Sequence, residues 1–287
     1  MKVKTLKTYT LSIPPRDAYT VVPAAVAALD GTYNRLDVMA GSLSFATPLD
    51  LCALRGLLHH AAGACDGVLF DCPATSDVHN YLGRMDFYEG LPPQVQLSRT
   101  PPVLNRRDHR RRLIEICRVE SIDDVQSLEG SVWEVAKGHF GTGPMTKACV
   151  SVIAAATENV LDHADSPVGA VVAVQRYATS GLQLAVVDLG RGIPTTLRAR
   201  SEYRHLSDVE AVERSLVDGV TSTGEIGRGA GLAEVISSAQ RTRDSTLVIH
   251  SGRAQFTLSY RSGVPQAHSS SPGLPTPGTW ISLVLKT

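Results

Sequence analysis

Apolar positions in the first hundred residues switch between a period of two and a period near 3.6, so extended segments (KVKTLKTYTLSI, RLDVMAG, GVLFDC) take turns with helical ones. That pattern predicts a small α/β unit over residues 1–92. Thr47 followed by Pro48 supplies an N-cap and a first-turn proline, and Leu51, Leu54, Leu58 and Ala61 then recur at helical spacing. A helix to about Ala62, packed on the sheet, is expected. After GVLFDC, Val78, Leu82 and Met85 form a second apolar stripe, capped by Thr75 or Ser76, and the unit should close near Leu91. The stretch LPPQVQLSRTPPVLNRRDHRRR carries two Pro-Pro pairs, and its last seven residues include five arginines. Residues 93–112 are therefore expected as an extended, semi-rigid linker.

From Leu113 the pattern restarts. RLIEICRVES predicts a strand, and Ser121 with Asp124 has the spacing of a capping box before a helix through Val125, Leu128, Val132, Val135 and Ala136. A second helix should begin near Pro144 and run to about His163, with Cys149, Val152, Ile153, Ala156 and Val160 on its buried side. Strands VGAVVAVQRY and LQLAVVDLG follow, then a helix opened by Ser207 and Glu210, a Gly/Thr-rich loop, and a helix after Gly231. Strands STLVIHS, AQFTLSY and TWISLVLK close the chain. Strands and helices come in blocks, which predicts an α+β layout over residues 113–287. RSGVPQAHSSSPGLPTPG is expected as a mobile loop between two paired strands.

Composition narrows the classes. The chain has 287 residues, 43% of them hydrophobic, and 28 Lys+Arg balance 28 Asp+Glu, so no global field steers polyanions and no specific nucleic-acid partner is expected. The arginine run at 106–112 reads as a solvated linker edge or an interdomain ion-pairing segment, with a nucleic-acid or lipid contact as the lesser option. No apolar run reaches the roughly 18 residues of a membrane span, and no secretory segment is visible, so a cytoplasmic protein with no membrane partner is expected. The five cysteines are scattered without a CxxC pair and read as buried small hydrophobes. His59 and His60 are neighbours, so they point to different sides of a helix and make no metal pair.

Three segments of the second half carry chemistry. In ATENVLDHA, Asn159 lies on the polar side of an amphipathic helix, where an amide oxygen can meet a hard cation beside phosphates. In DLGRGIP, Asp188 closes a strand, and Gly190 and Gly192 let the main chain turn tightly against a ligand. A carboxylate there accepts a hydrogen bond from an exocyclic amine such as that of adenine. In GVTSTGEIGRGAGL, Gly227, Gly229 and Gly231 alternate before an apolar helix starting at Leu232, an arrangement that presents backbone N–H groups to phosphate. The spacing is neither a Walker A loop nor a GxGxxG fingerprint. Singly, each has a plain reading: an exposed helical Asn, a strand-end turn, a flexible hinge.

In this order the segments resemble the nucleotide-binding domain of the gyrase, Hsp90, histidine-kinase and MutL (GHKL) superfamily, the Bergerat fold. The closest flavour, ENVLDHA, resembles the anti-sigma-factor kinase branch. The resemblance covers roughly residues 113–287 and implies an α/β sandwich, a mixed sheet with helices on one face. It further implies ATP and Mg2+ as cofactors. Asn159 would hold the metal, Asp188 the adenine amine, and Gly227, Arg228, Gly229, Gly231 and Leu232 the phosphates. Thr221 to Ile226, with Thr223, would form a lid. Gly190 and Gly192 belong to the first glycine box, and Thr279, after Gly278, matches the threonine on the adenine side. LDLCALRGLLHHAAGACDGVLFDCPATSDVHNYLGRMDF is similar to the STAS fold of anti-sigma-factor antagonists, which implies a phosphoacceptor hydroxyl at Thr75 or Ser76. Helix capping explains a hydroxyl there equally well.

One departure bears on chemistry. Hydrolytic and serine-kinase members place a glutamate one helical turn before the Asn, and Ala155 stands there. Glu158 is the substitute catalytic candidate, although it lies about 100° around the helix from Asn159. His109, in RRDHRRR, lacks the context of a phosphoacceptor helix. The leading expectation is an ATP-binding regulatory protein whose nucleotide state gates a protein contact. The alternatives are a serine/threonine kinase or slow ATPase, and a scaffold with vestigial boxes. Expected partners are ATP and a regulatory or STAS-type protein, with a homodimer as a further option.

Overall fold

Local hydrogen-bonding signals start the main helices. In the computed structural model, which describes residues 7–29, 31, 33–103, 113–177, 181–217, 244–271 and 273–286, the chain divides into two compact units, Met1–Arg107 and Asp108–Thr287.

The first unit holds β1 (Thr8–Ser12), α1 (Val22–Ala28), β2 (Arg35–Met39), α2 (Pro48–Ala64), β3 (Gly67–Asp71), α3 (Ser76–Arg84) and β4 (Val95–Leu97). Its four strands form a parallel sheet in sequential order. Leu36, Val38, Val68 and Phe70 are fully or almost fully buried, while their neighbours Arg35, Asp37 and Met39 face outward. Parallel sheets are usually covered on both faces. Here the alternation leaves one face less buried, as expected when right-handed crossovers in sequential order set every helix on the same side. α2 begins as its sequence indicates: Thr47 Oγ1 accepts the Asp50 N–H at 3.2 Å while the Asp50 carboxylate accepts the Thr47 N–H at 2.7 Å. Asp50 also accepts the Tyr19 N–H at 3.0 Å, and burial raises its pKa despite these bonds. Thr75 occupies the N-cap position of α3, but its side chain makes no capping hydrogen bond.

β4 lies inside the stretch expected as linker. It pairs with β3, Val68 opposite Val95 and Phe70 opposite Leu97. Beyond it, Ser98 Oγ accepts the Cys72 N–H at 2.9 Å, and Arg99 donates to the carbonyl of Pro73 at 2.9 Å. Three residues are too short for a periodic signal, and the flanking prolines mask the strand.

The second unit contains β5 (Leu113–Val119), α4 (Ile122–Phe140), α5 (Pro144–His163), β6 (Ala170–Tyr177), β7 (Gly181–Val187), α6 (Gly192–Arg198) and α7 (Asp208–Ser215). The strands β8 (Asp244–Gly252), β9 (Ala254–Arg261), β10 (Val264–Ser270) and β11 (Thr276–Lys286) complete it. Capping boxes open α4 at Ser121 and Asp124 and α7 at Ser207 and Glu210. The seven strands run in the order β10-β9-β8-β11-β7-β6-β5. Val132 of α4, Val152 of α5, Ile193 of α6 and Val212 of α7 join one core with Val172, Val186, Ile249 and Ile281 from a single sheet face. The described helices of this unit thus cover one face, and the described residues are α+β, with one parallel and one antiparallel sheet.

Two expectations need correction. Every described neighbour pair of the seven-stranded sheet is antiparallel, where a mixed sheet was expected. The helical crossover from β7 does return a strand, β8, in the same direction. The C-terminal β11 inserts between them and makes each an antiparallel neighbour. The Ser/Pro-rich stretch is likewise not one loop. Its first part is β10, an edge strand hairpinned to β9 through Ser262 and Gly263, both at positive φ (52° and 80°). A two-residue loop with both φ positive is the hairpin turn that matches strand twist, and Pro265 is tolerated because β10 lies at the edge.

Among the described residues, no helix is long and apolar enough to cross a membrane, and no group of three or more His, Cys, Asp or Glu is placed to hold a metal ion. None of the five cysteines forms a disulfide, and four are buried. Burial pushes the Cys149 thiol up to about 12. The helix expected after Gly231, the lid and His109 lie outside the described residues.

Candidate functional site

The site is built where β7 leaves the sheet. Asp188 follows an all but continuous apolar strand, and alternation places it on the helix-covered face. It is 1% exposed. One carboxylate oxygen accepts the Gly190 N–H at 2.7 Å and the other the Thr279 N–H at 2.8 Å. Its own N–H donates to Thr279 O at 3.1 Å, and the indole Nε1–H of Trp280 donates to Asp188 O at 3.1 Å. Four hydrogen bonds therefore pin this residue in place.

Glycine is required at this junction because three stretches of main chain meet without side chains between them. A Cβ on Gly278, where φ is +69°, would lie 2.3 Å from both the Asp188 carbonyl and its carboxylate. A Cβ on Gly190 would fall 2.0 Å from Ala164 O, just past the end of α5. Arg191 adds to that contact: its backbone N–H donates to Ala164 O at 2.8 Å, its guanidinium donates to His163 O at 3.1 Å, and it pairs with Asp165 at 3.1 Å. The loop after Asp188 thus takes up carbonyls that the end of α5 leaves free. Ser166 Oγ accepts the Leu189 N–H at 3.3 Å from the other side.

Burial pushes the Asp188 carboxyl up to about 7, and the two N–H donors offset only part of that. Both oxygens are buried, and among the described residues no cation offsets the charge. Such a group binds a neutral donor well, because each oxygen keeps a lone pair beyond the one given to the backbone.

Asp188, Gly190, Gly192 and Thr279 come together at this strand end. Asn159 is half-buried on α5, about 7–8 Å along the helix axis from Ala164 at 1.5 Å per residue. Ala155 stands one turn before it, half-buried, and Glu158 is exposed on the same helix. Thr223, Gly227, Arg228, Gly229, Gly231 and Leu232 lie outside the described residues. Ser251, at the end of β8, joins the site only in the structure. It is fully buried and pairs across the sheet with Thr279. Its signal was a hydroxyl where the alternation Leu247, Ile249 calls for an apolar side chain. No protein-family model matches this sequence, and no curated protein matches it either.

Proposed function

We propose that this protein is an ATP- and Mg2+-binding regulatory protein of the GHKL type, acting in the cytoplasm, whose nucleotide state gates contact with a protein partner. On this reading residues 113–287 are a Bergerat-type sandwich and the first unit is STAS-like. The observation that carries it is the Asp188 junction: a buried carboxylate held by two backbone N–H groups and walled by glycine main chain, with Thr279 beside it. A buried acid at a strand end costs the fold free energy, and groups kept at such a cost concentrate at functional sites. A planar base slides against bare main chain more readily than against side chains, and its exocyclic amine supplies a further donor to the Asp188 carboxylate beside the two backbone N–H groups.

The amide oxygen of Asn159 suits Mg2+ as a single protein ligand, because a nucleotide-bound Mg2+ takes most of its oxygens from phosphate and water. Ala155 carries no proton-accepting group, which favours nucleotide-controlled binding over hydrolysis. A STAS-type protein or a second copy of the chain is the partner that fits this scheme.

Calorimetric titration with ATP and a non-hydrolysable analogue, with and without magnesium, tests the reading, followed by phosphate release on the same sample. Magnesium-dependent binding that is lost in Asp188→Asn, without turnover, is expected. Absence of binding would overturn the proposal, and binding with turnover would shift it toward an ATPase or kinase with Glu158 as the first base to examine.

A further inference from the structure

Among the described residues the Ser251 hydroxyl makes three contacts, and counting protons gives each a direction. Its Oγ accepts the Ile193 N–H at 2.8 Å, lies 2.9 Å from the Gly278 carbonyl oxygen, and lies 3.1 Å from Thr279 Oγ1. A hydroxyl carries one proton and two acceptor lone pairs. The Gly278 carbonyl can only accept, so it takes the Ser251 proton. The Ile193 N–H can only donate, so it takes one lone pair. The remaining contact then has a single solution: Thr279 donates its hydroxyl proton to Ser251.

We infer that Ser251 is a positioning residue that takes up the Thr279 hydroxyl proton and so turns Thr279 into a hydrogen-bond acceptor toward the bound base. This rests on the nucleotide reading and deepens it. Asp188, just past the end of β7, and Thr279 of the adjacent β11 are joined by the Thr279 N–H bond to the Asp188 carboxylate. Both now present acceptors, and an exocyclic amine carries two protons to meet them. The substrate class is therefore a base with an amine at that edge. A carbonyl in its place, as in hypoxanthine, would face acceptors. A site built to bond an N–H rejects the analogue that lacks it by about a hundredfold or more.

The test compares ATP with inosine triphosphate on the full chain at pH 8, where Asp188, pushed up to about 7, is ionised. Wild type should prefer ATP by about a hundredfold or more. Ser251→Ala frees the Thr279 hydroxyl to turn and donate to the carbonyl, so that preference should shrink by about fivefold or more, one ordinary hydrogen bond. Ser251→Thr, which keeps the hydroxyl, should restore it. In a Thr279→Val background Ser251→Ala should leave the preference unmoved, because Ser251 acts through Thr279. An unchanged preference in Ser251→Ala, or an equal loss with and without Thr279, overturns the inference. Should the variants fail to fold, NMR of the wild type decides instead: the Thr279 hydroxyl proton should be resolved and slow to exchange, and a rapidly exchanging one overturns the assignment. If wild type binds neither nucleotide, the functional reading fails, while the NMR measurement still decides where the proton lies.

Discussion

Asp188→Asn keeps the size and shape of the side chain and exchanges one acceptor oxygen for an NH2 donor. Two backbone N–H groups, of Gly190 and Thr279, face that side chain. Whichever way the amide turns, one of them meets another donor, and a buried N–H left unmet costs about 1–3 kcal/mol. The wild type carries an opposing cost that depends on pH. Its carboxyl titrates at about 7 in the native state against 3.8 ordinarily. Between those values the native protein holds a proton that the unfolded chain has released, so wild-type stability falls as pH rises, by about 1.4 kcal/mol per unit. The variant has no such slope. The stability advantage of wild type over Asp188→Asn should therefore be largest near pH 4, shrink by about 2–3 kcal/mol between pH 5 and pH 7, and then level off. Urea unfolding followed by tryptophan fluorescence reads this directly, because Trp280, 1% exposed, sits hydrogen-bonded to Asp188 O. Taking the difference between the two proteins at each pH cancels carboxylates such as Asp208, whose native pKa is lowered and whose slope has the other sign. An advantage that is flat from pH 5 to 8, or that grows with pH, would refute the argument.

Gly278→Ala places a Cβ 2.3 Å from Asp188 oxygens at a φ of +69°, so it should cost about 3 kcal/mol or more in a urea titration; a loss under about 1 kcal/mol would mean the junction is not tight. ATP affinity should be constant above about pH 7 and fall about tenfold per unit below it, because an amine needs the ionised carboxylate. Calorimetry in buffers of different ionisation enthalpy would detect the proton released on binding near pH 6.

The parts of the fold written in four or five consecutive residues were legible. Thr47 with Pro48, Ser121 with Asp124, and Ser207 with Glu210 each open a helix where they indicate, because an N-cap and its capping box join a side chain to a backbone only three residues away. α5 runs over the expected residues for the same kind of reason, a first-turn proline followed by a long apolar stripe. Pairing between distant strands was not legible. Nothing local to TWISLVLK says that it enters between β7 and β8, and its partners lie about 30 and 100 residues away in the chain. β10 had a local signal, the Ser262-Gly263 turn, that its Ser/Pro composition obscured. At the site, Asp188 and the glycines were legible as a type of strand-end turn. Ser251 required the β8–β11 pairing before its hydroxyl had a neighbour to act on.

Two backbone donors face Asp188, and a carboxylate is the one side chain of that length with two acceptor atoms, so Asp188 could serve as a structural clamp alone. A clamp of this kind, however, predicts a single pH dependence, the loss of stability from about pH 4 to about pH 7, where the buried acid still holds a proton that the unfolded chain has released. A clamp that also receives a base amine predicts a second slope of opposite sign. Over the same window the ligand gains affinity, because it binds the ionised form and gives that form a donor the free fold does not provide. Stabilisation by ATP should then increase from pH 6 to pH 8 while the stability of the free protein decreases. One carboxylate producing both slopes separates a binding site from a clamp, and a rise in neither or a parallel fall in both would leave only the clamp.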